Sequence, residues 1–149
     1  MNLLTGTNTT LLNICLLLLR LTVGIILFMA GAGKVLGWFG GMGIEATIDL
    51  FVKQMAISAP LAYLSCYTEF VGGFLLIVGL LTRPAAFAIT INMLVAVLVS
   101  LPNGFLAGAS YPFSMMMTSL VILLAGPMAY SLDAWLFGGK TMRSAMKRM

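Results

Sequence analysis

Four long apolar stretches follow one another along the chain, at about residues 12–33, 60–81, 84–101 and 112–131. Each is close to the ~20 residues that an α-helix needs to cross the hydrocarbon core of a bilayer. Only LTRP separates the second stretch from the third, which predicts an antiparallel hairpin. The third stretch ends at SLPNGF, a turn signal. The pattern therefore predicts an all-α, membrane-embedded bundle of four transmembrane helices.

The connection between the first two spans, GIEATIDLFVKQMAI at residues 43–57, has a different pattern. On a helix its residues separate into two faces. The apolar face contains Ile44, Ile48, Phe51, Val52 and Met55. The charged face contains Glu45, Asp49 and Lys53. This amphipathic pattern is typical of a helix that lies at the membrane interface. Two interpretations of this helix remain open: a lid or docking surface over the bundle, or a connector that is merely helical.

Composition makes the membrane assignment firmer and indicates an orientation. Of the 149 residues, 61% are hydrophobic and 8% charged, against roughly 25% charged in a soluble domain. The net charge of +4 comes largely from a basic tail within residues 132–149, directly after the last span. A basic flank of this kind predicts contact with a lipid bilayer rather than with nucleic acid, and it places both termini in the cytoplasm together with Arg83. The whole chain, residues 1–149, is interpreted as one membrane domain.

Two charged residues interrupt the apolar stretches, Arg20 in the first and Glu69 in the second. The depth of each residue can be estimated from the rise of ~1.5 Å per helical residue, counted from the predicted end of its span. Measured from the cytoplasmic boundary of the membrane, Arg20 then lies at ~12 Å, Glu69 at ~16 Å and Asn92 of the third span at ~12 Å. The count predicts one buried polar layer in which Arg20 pairs with Glu69, because a paired guanidinium and carboxylate are far less costly in lipid than either alone. This pair either fixes the helix register or forms a site for a polar headgroup, a quinone carbonyl or a proton.

Three motifs stand out along the chain: LLRLTVGIILFMAGAGKVLG in the first span, TEFVGGFLLIVGLLTRPAAFAI across the hairpin, and GPMAYSLDAWL near the end. Together they resemble the motifs of the DoxX-like family of small membrane proteins. Besides Arg20 and Glu69, the resemblance covers a set of further positions: Gly24, Lys34, Gly79, Arg83 and Asp133. It implies a four-helix protein of the bacterial inner membrane. Some family members are associated with membrane oxidoreductase assemblies, including a thiosulfate:quinone oxidoreductase subunit.

Three functions follow as hypotheses, and the residues leave open whether the chain is an enzyme. The first is a membrane subunit of an oxidoreductase complex that interacts with quinone. No metal site is predicted, since the chain has no histidine and no cysteine set for a haem or an iron–sulfur cluster, so a soluble or membrane-bound redox partner protein is implied. The second hypothesis is a non-catalytic membrane anchor or assembly factor. The third, a small transporter, is less favoured because the sequence has no duplicated half.

Overall fold

A computed structural model of the protein describes residues 9–126 and 130–136. Its helices are α1 (Thr9–Leu36), α2 (Ile44–Met55), α3 (Ala59–Val78), α4 (Thr82–Ser100) and α5 (Ser110–Ala125). Short 3₁₀ turns at Trp38–Gly40 and Leu101–Asn103 and a π-helical turn at Phe105–Ala109 complete the connections. Within the described residues, four candidate spans are long and apolar enough to cross a membrane, namely Thr9–Leu36, Ala59–Val78, Thr82–Asn103 and Phe105–Ala125. The predicted all-α fold with four such helices is confirmed.

The four spans run alternately up and down, and each packs against two others. α1 contacts α3 and α5, and α4 contacts the same two helices from the other side of the bundle. The core between them contains Val23, Leu27, Leu76, Ile89 and Ile122. The turn between α3 and α4 lies at one end of the bundle, which we call the turn end. α2 lies at the opposite end, called the α2 end.

Close backbone contact sets the register between α1 and α3. A Cβ atom on Gly31 would overlap the backbone of Phe70, and one on Gly73 would overlap that of Phe28. Small residues at these positions let the two helices approach closely, as is common in membrane interfaces. Three contacts, Gly31 with Phe70, Phe28 with Gly73 and Gly24 with Ile77, therefore define an antiparallel alignment of the two helices.

α2 is the amphipathic helix that the sequence predicts. Ile48 is buried against Ala62 and Cys66 of α3, with Ile44 and Phe51 packed around them. Asp49 and Lys53 form an exposed ion pair on the charged face. The predicted apolar face is broader than the packed one, because Val52 and Met55 remain exposed.

The fourth span differs most from its predicted bounds of 112–131. The helical path resumes at Phe105, directly after Gly104, and α5 ends at Ala125. Gly126 follows with φ at 74°, a positive value that favours glycine and takes the chain out of the helix. Part of the predicted span, residues 127–129, lies outside the described residues, as does the basic tail beyond residue 136.

Candidate functional site

Arg20 lies at the turn end, where its guanidinium packs on a glycine and binds a backbone carbonyl. Only 2% of the residue is exposed. Nη2 donates to the carbonyl of Tyr130 over 2.8 Å. A Cβ on Gly79 would lie 2.8 Å from Nη1 and 2.9 Å from Cζ of Arg20. A glycine is therefore needed at position 79 for two reasons: a side chain would overlap the guanidinium of Arg20, and the backbone φ at the end of α3 is 74°.

Asp133 completes the turn-end cluster, which we define as Arg20, Gly79, Thr82, Tyr130 and Asp133. Its two carboxylate oxygens accept the backbone N–H groups of Leu81 and Thr82, each over 2.8 Å, at the start of α4. Its own N–H donates to the carbonyl of Gly79 over 3.0 Å. These contacts hold the C-terminal segment, residues 130–136, against the hairpin turn. Asp133 is also the charged group that interacts electrostatically with Arg20.

Glu69 has a different partner at the other end of α1. Its Oε2 accepts a hydrogen bond from Nζ of Lys34 over 2.5 Å. The Glu69 side chain is only 6% exposed and that of Lys34 is 30% exposed. Nζ of Lys34 also lies 5.7 Å from the ring centre of Phe51, within the range of a cation–π contact. Glu69 is thus a nearly buried carboxylate that holds a partly accessible ammonium.

The predicted pairing of Arg20 with Glu69 is wrong. Arg20 packs on Gly79, and Gly79 lies about ten residues beyond Glu69, or ~15 Å along the helix. The depth count started the spans at common membrane boundaries, whereas α1 is displaced along its axis relative to the hairpin. In the alignment with α3 set by Gly24, Phe28 and Gly31, the first residues of α1 extend beyond the hairpin turn. The displacement brings Lys34, instead of Arg20, to the level of Glu69.

Asn92 lies at the level of Glu69 in the hairpin. A Cβ on Gly72 would lie 3.1 Å from the side chain of Ile89, so these two residues are level with each other. α3 and α4 are antiparallel, and Glu69, three residues before Gly72, is therefore level with Asn92, three residues after Ile89. Nδ2 of Asn92 is buried without a hydrogen-bond partner in the part of the chain that the structure describes. The predicted trio is therefore divided: Asn92 and Glu69 share a level, and Arg20 is remote from both.

The remaining family-matching positions fall at both ends of the bundle. Gly24 contributes to the close approach of α1 and α3, and Lys34 pairs with Glu69. Arg83 lies across the end of α5, since a Cβ on Gly126 would be 2.7 Å from its Nε and Nη2 atoms. Lys34 and Asp133 became site candidates only through the family pattern. The sequence also places Lys34 on the same face of the first helix as Arg20, fourteen residues further along.

Lys34 borders a groove of about 350 Å³ at the α2 end. One wall is a stripe of α1, the second is α2, and the third is the connection between them. Beside Lys34, the lining includes Met29, Ala30, Trp38, Phe39, Thr47 and Phe51. Sequence reasoning missed this groove, because it forms only when the glycine-rich connection folds back so that Gly37 and Gly43 both donate to the carbonyl of Gly33.

The part of the chain that the structure describes defines a class of protein: an all-α protein with four helices long and apolar enough to cross a membrane. The DoxX family profile matches residues 15–102, and the chain belongs to the DoxX family. It is 31% identical over 125 residues to a Bacillus subtilis (strain 168) protein named "Putative oxidoreductase CatD", a match that covers 83% of this chain and 88% of that protein. No solved structure matches the chain.

Proposed function

We propose that this protein is a membrane subunit of an oxidoreductase complex and that its groove binds a quinone headgroup. The observation that carries the proposal is the Lys34–Glu69 pair at the groove, a charged donor held in place by a nearly buried carboxylate. An ammonium has three N–H donors, and Glu69 accepts one of them. The others can bind a quinone carbonyl. The name of the Bacillus relative supports the redox assignment.

The groove suits a flat, largely apolar headgroup. Its volume is within the ~300–1,000 Å³ typical of small-molecule sites, and such sites combine apolar walls with few polar groups. Here Trp38, Phe39 and Phe51 provide aromatic surface, and Lys34 provides the charged donor. The composition of the walls therefore fits a ring with carbonyl oxygens better than it fits a highly charged solute.

A redox partner protein completes the proposed assembly. Reduction of a quinone to a quinol takes up two electrons and two protons. The chain has no histidine, and the described residues contain no group of three metal-ligating side chains. The electrons would therefore come from a centre in the partner, while Lys34 lies where it can donate a proton to a carbonyl oxygen. Protein binding by the exposed charged face of α2 would agree with this arrangement.

The orientation belongs to the same proposal. Arg83 is at the turn end, and the sequence continues from the C-terminal segment into the basic tail, whereas Lys34 and Lys53 are at the α2 end. The excess of basic residues supports a cytoplasmic turn end in a bacterial inner membrane, with both termini on that side. The groove would then open toward the outer leaflet.

A non-catalytic anchor or assembly factor is the second candidate. The turn-end cluster favours it, since Arg20 and Asp133 bind backbone groups of the chain itself. A transporter has less support. Within the described residues, the apolar core of Val23, Leu27, Leu76 and Ile89 separates the two polar ends of the bundle, and the hydroxyls of Ser114, Thr118 and Ser119 donate to carbonyls of their own helix.

Purification from native membranes followed by lipid extraction tests the proposal. We expect quinone to copurify with the wild-type protein and with Lys53→Met, and to be lost from Lys34→Met. The control removes a lysine whose ion pair is exposed on α2, outside the groove. A stoichiometric partner without quinone would support the assembly-factor alternative. Equal quinone content in the two variants would contradict the groove as the binding site.

A further inference from the structure

The groove runs along α1 instead of opening only at its end. Met29, Ala30, Gly33 and Lys34 form one continuous stripe of the helix surface that lines it. Met29 is seven residues before the end of α1 at Leu36, so the groove reaches ~10 Å down the span. Met29 is itself exposed on the outer surface of the bundle. The lower end of the groove therefore faces the side of the bundle, where hydrocarbon surrounds a membrane protein.

The upper end of the groove also lies below the end of the neighbouring span. In the α1–α3 alignment Lys34 is level with about residue 67 of α3, eight residues or ~12 Å from the start of that helix. α1 ends short of α3, and α2 together with the connection occupies the space above it. The ammonium therefore lies beneath α2 and the connection, below the level at which α3 begins.

The outer wall is apolar as well. Trp38, Phe39 and Met42 line the groove and are 56%, 64% and 63% exposed. Phe39 has a left-handed backbone with φ at 55°, a conformation that costs a side-chain-bearing residue roughly 1–2 kcal/mol. Strained backbone that persists in this way is concentrated at binding sites and switches. An apolar rim with aromatic side chains is suited to the membrane interface.

We propose that the groove admits its ligand sideways from the bilayer, as an amphiphile whose headgroup binds at Lys34 and whose hydrocarbon tail lies along Met29 and Ala30. This inference rests on the proposed function and specifies its ligand class: a quinone that carries an alkyl or isoprenoid tail, not a water-soluble quinone. Ala30 is the specificity-determining position, because its small side chain leaves the tail path open between Met29 and Gly33.

Tryptophan fluorescence tests the inference directly. The chain has two tryptophans, and Trp135 lies at the turn end in the C-terminal segment. A Trp135→Phe protein therefore reports on the groove through Trp38 alone. The protein is placed in nanodiscs, and two compounds are titrated: a tail-less benzoquinone and the same headgroup with a decyl tail. Saturable quenching of the Trp38 fluorescence gives an affinity for each compound, which is corrected for its partition into the lipid. We expect the tailed compound to bind at least about tenfold more tightly, since its apolar tail is buried in the groove.

Substitutions assign that gain to the tail path. Ala30→Phe should remove most of the tail-dependent gain and leave the affinity for the tail-less compound within about twofold, because only the lower groove is filled. Ile25→Phe is the matched control, since Ile25 is exposed on α1 outside the groove, and it should retain the gain. Lys34→Met should weaken both compounds.

The outcomes separate the two proposals. If both compounds bind with equal corrected affinity and depend on Lys34, the sideways entry of a tailed ligand is overturned while the quinone site remains. If the gain persists in Ala30→Phe, the tail path is overturned in the same way. If neither compound gives saturable quenching in the Trp135→Phe protein, the proposed quinone function itself fails.

Discussion

The two ends of α1 carry a similar basic residue in different settings. At the turn end, Arg20 is 2% exposed, binds a backbone carbonyl and lies near an aspartate that is itself bound to backbone N–H groups. At the α2 end, the side chain of Lys34 is 30% exposed, binds a carboxylate and borders a groove. The first cation is enclosed by its own chain, with Nε and Nη1 buried and unpaired among the described residues, whereas the second is partly exposed and keeps donors that a ligand can reach.

This difference separates a structural charge from the proposed binding site. Intramembrane ionisable residues are functional candidates by default, and both basic residues meet that criterion equally. Their partners distinguish them. Arg20 and Asp133 satisfy backbone groups at a tight turn where Leu81 has φ at 50°, so their removal would expose unpaired backbone. Lys34 and Glu69 form their hydrogen bond and ion pair with each other, not with the backbone. Their removal would therefore change the surface of the groove and leave no backbone group unpaired.

The largest expected effect is on the turn-end cluster. Asp133→Ala leaves two backbone N–H groups without their charged acceptor and should lower the free energy of unfolding by about 3 kcal/mol or more. Asp133→Asn, which retains one acceptor oxygen, is the matched control and should lose less. Unfolding in mixed detergent micelles measures both. Wild-type stability in Asp133→Ala would show that the C-terminal segment contributes little to the fold.

An intermediate effect is expected at the groove, mainly on binding. Glu69→Gln removes the charge that holds Lys34, and we expect about a tenfold loss of quinone affinity, equivalent to about 1.4 kcal/mol. The loss of unfolding free energy should be only about 1 kcal/mol, since the partly exposed ammonium can turn toward water. Asp49→Asn, in the exposed ion pair of α2, is the control for both measurements. A collapse of stability without a change in affinity would reverse the roles assigned to the two ends.

The smallest expected effect is a coupling energy close to zero. Double-mutant cycles should give less than about 0.5 kcal/mol between Arg20 and Glu69, which are far apart, and about 1 kcal/mol between Lys34 and Glu69, which are in contact. Alanine substitutions, singly and together, in the same unfolding assay provide both cycles. A larger value for Arg20 with Glu69 would restore the pairing that the structure contradicts.

Local pattern was sufficient to predict most of the fold. Residues 60–81 are predicted as a span and α3 covers Ala59–Val78, while the alternation of Ile44, Ile48 and Phe51 with charged residues predicts α2. These features depend on hydrophobic runs and helical periodicity, which neighbouring residues carry among themselves. The choice of Glu69 as a buried polar residue rests on the same local logic.

The partners of the buried charges could not be predicted in this way. Depth counting treats each span separately. The contact of Gly31 with Phe70 fixes an axial position of α1 relative to α3 that puts Arg20 beside Gly79 instead of Glu69. The contact of Asp133 with the start of α4 joins residues more than fifty positions apart. No periodicity encodes such a contact.

The four apolar helices, the amphipathic connection and the DoxX family pattern can be read from the sequence, because they follow from the order of side chains along the chain. The pairing of each cation with its anion and the position of the groove depend on the folded bundle. Close glycine contacts between the helices set their axial displacement, and a displacement of a few turns exchanges the polar partners along the interface.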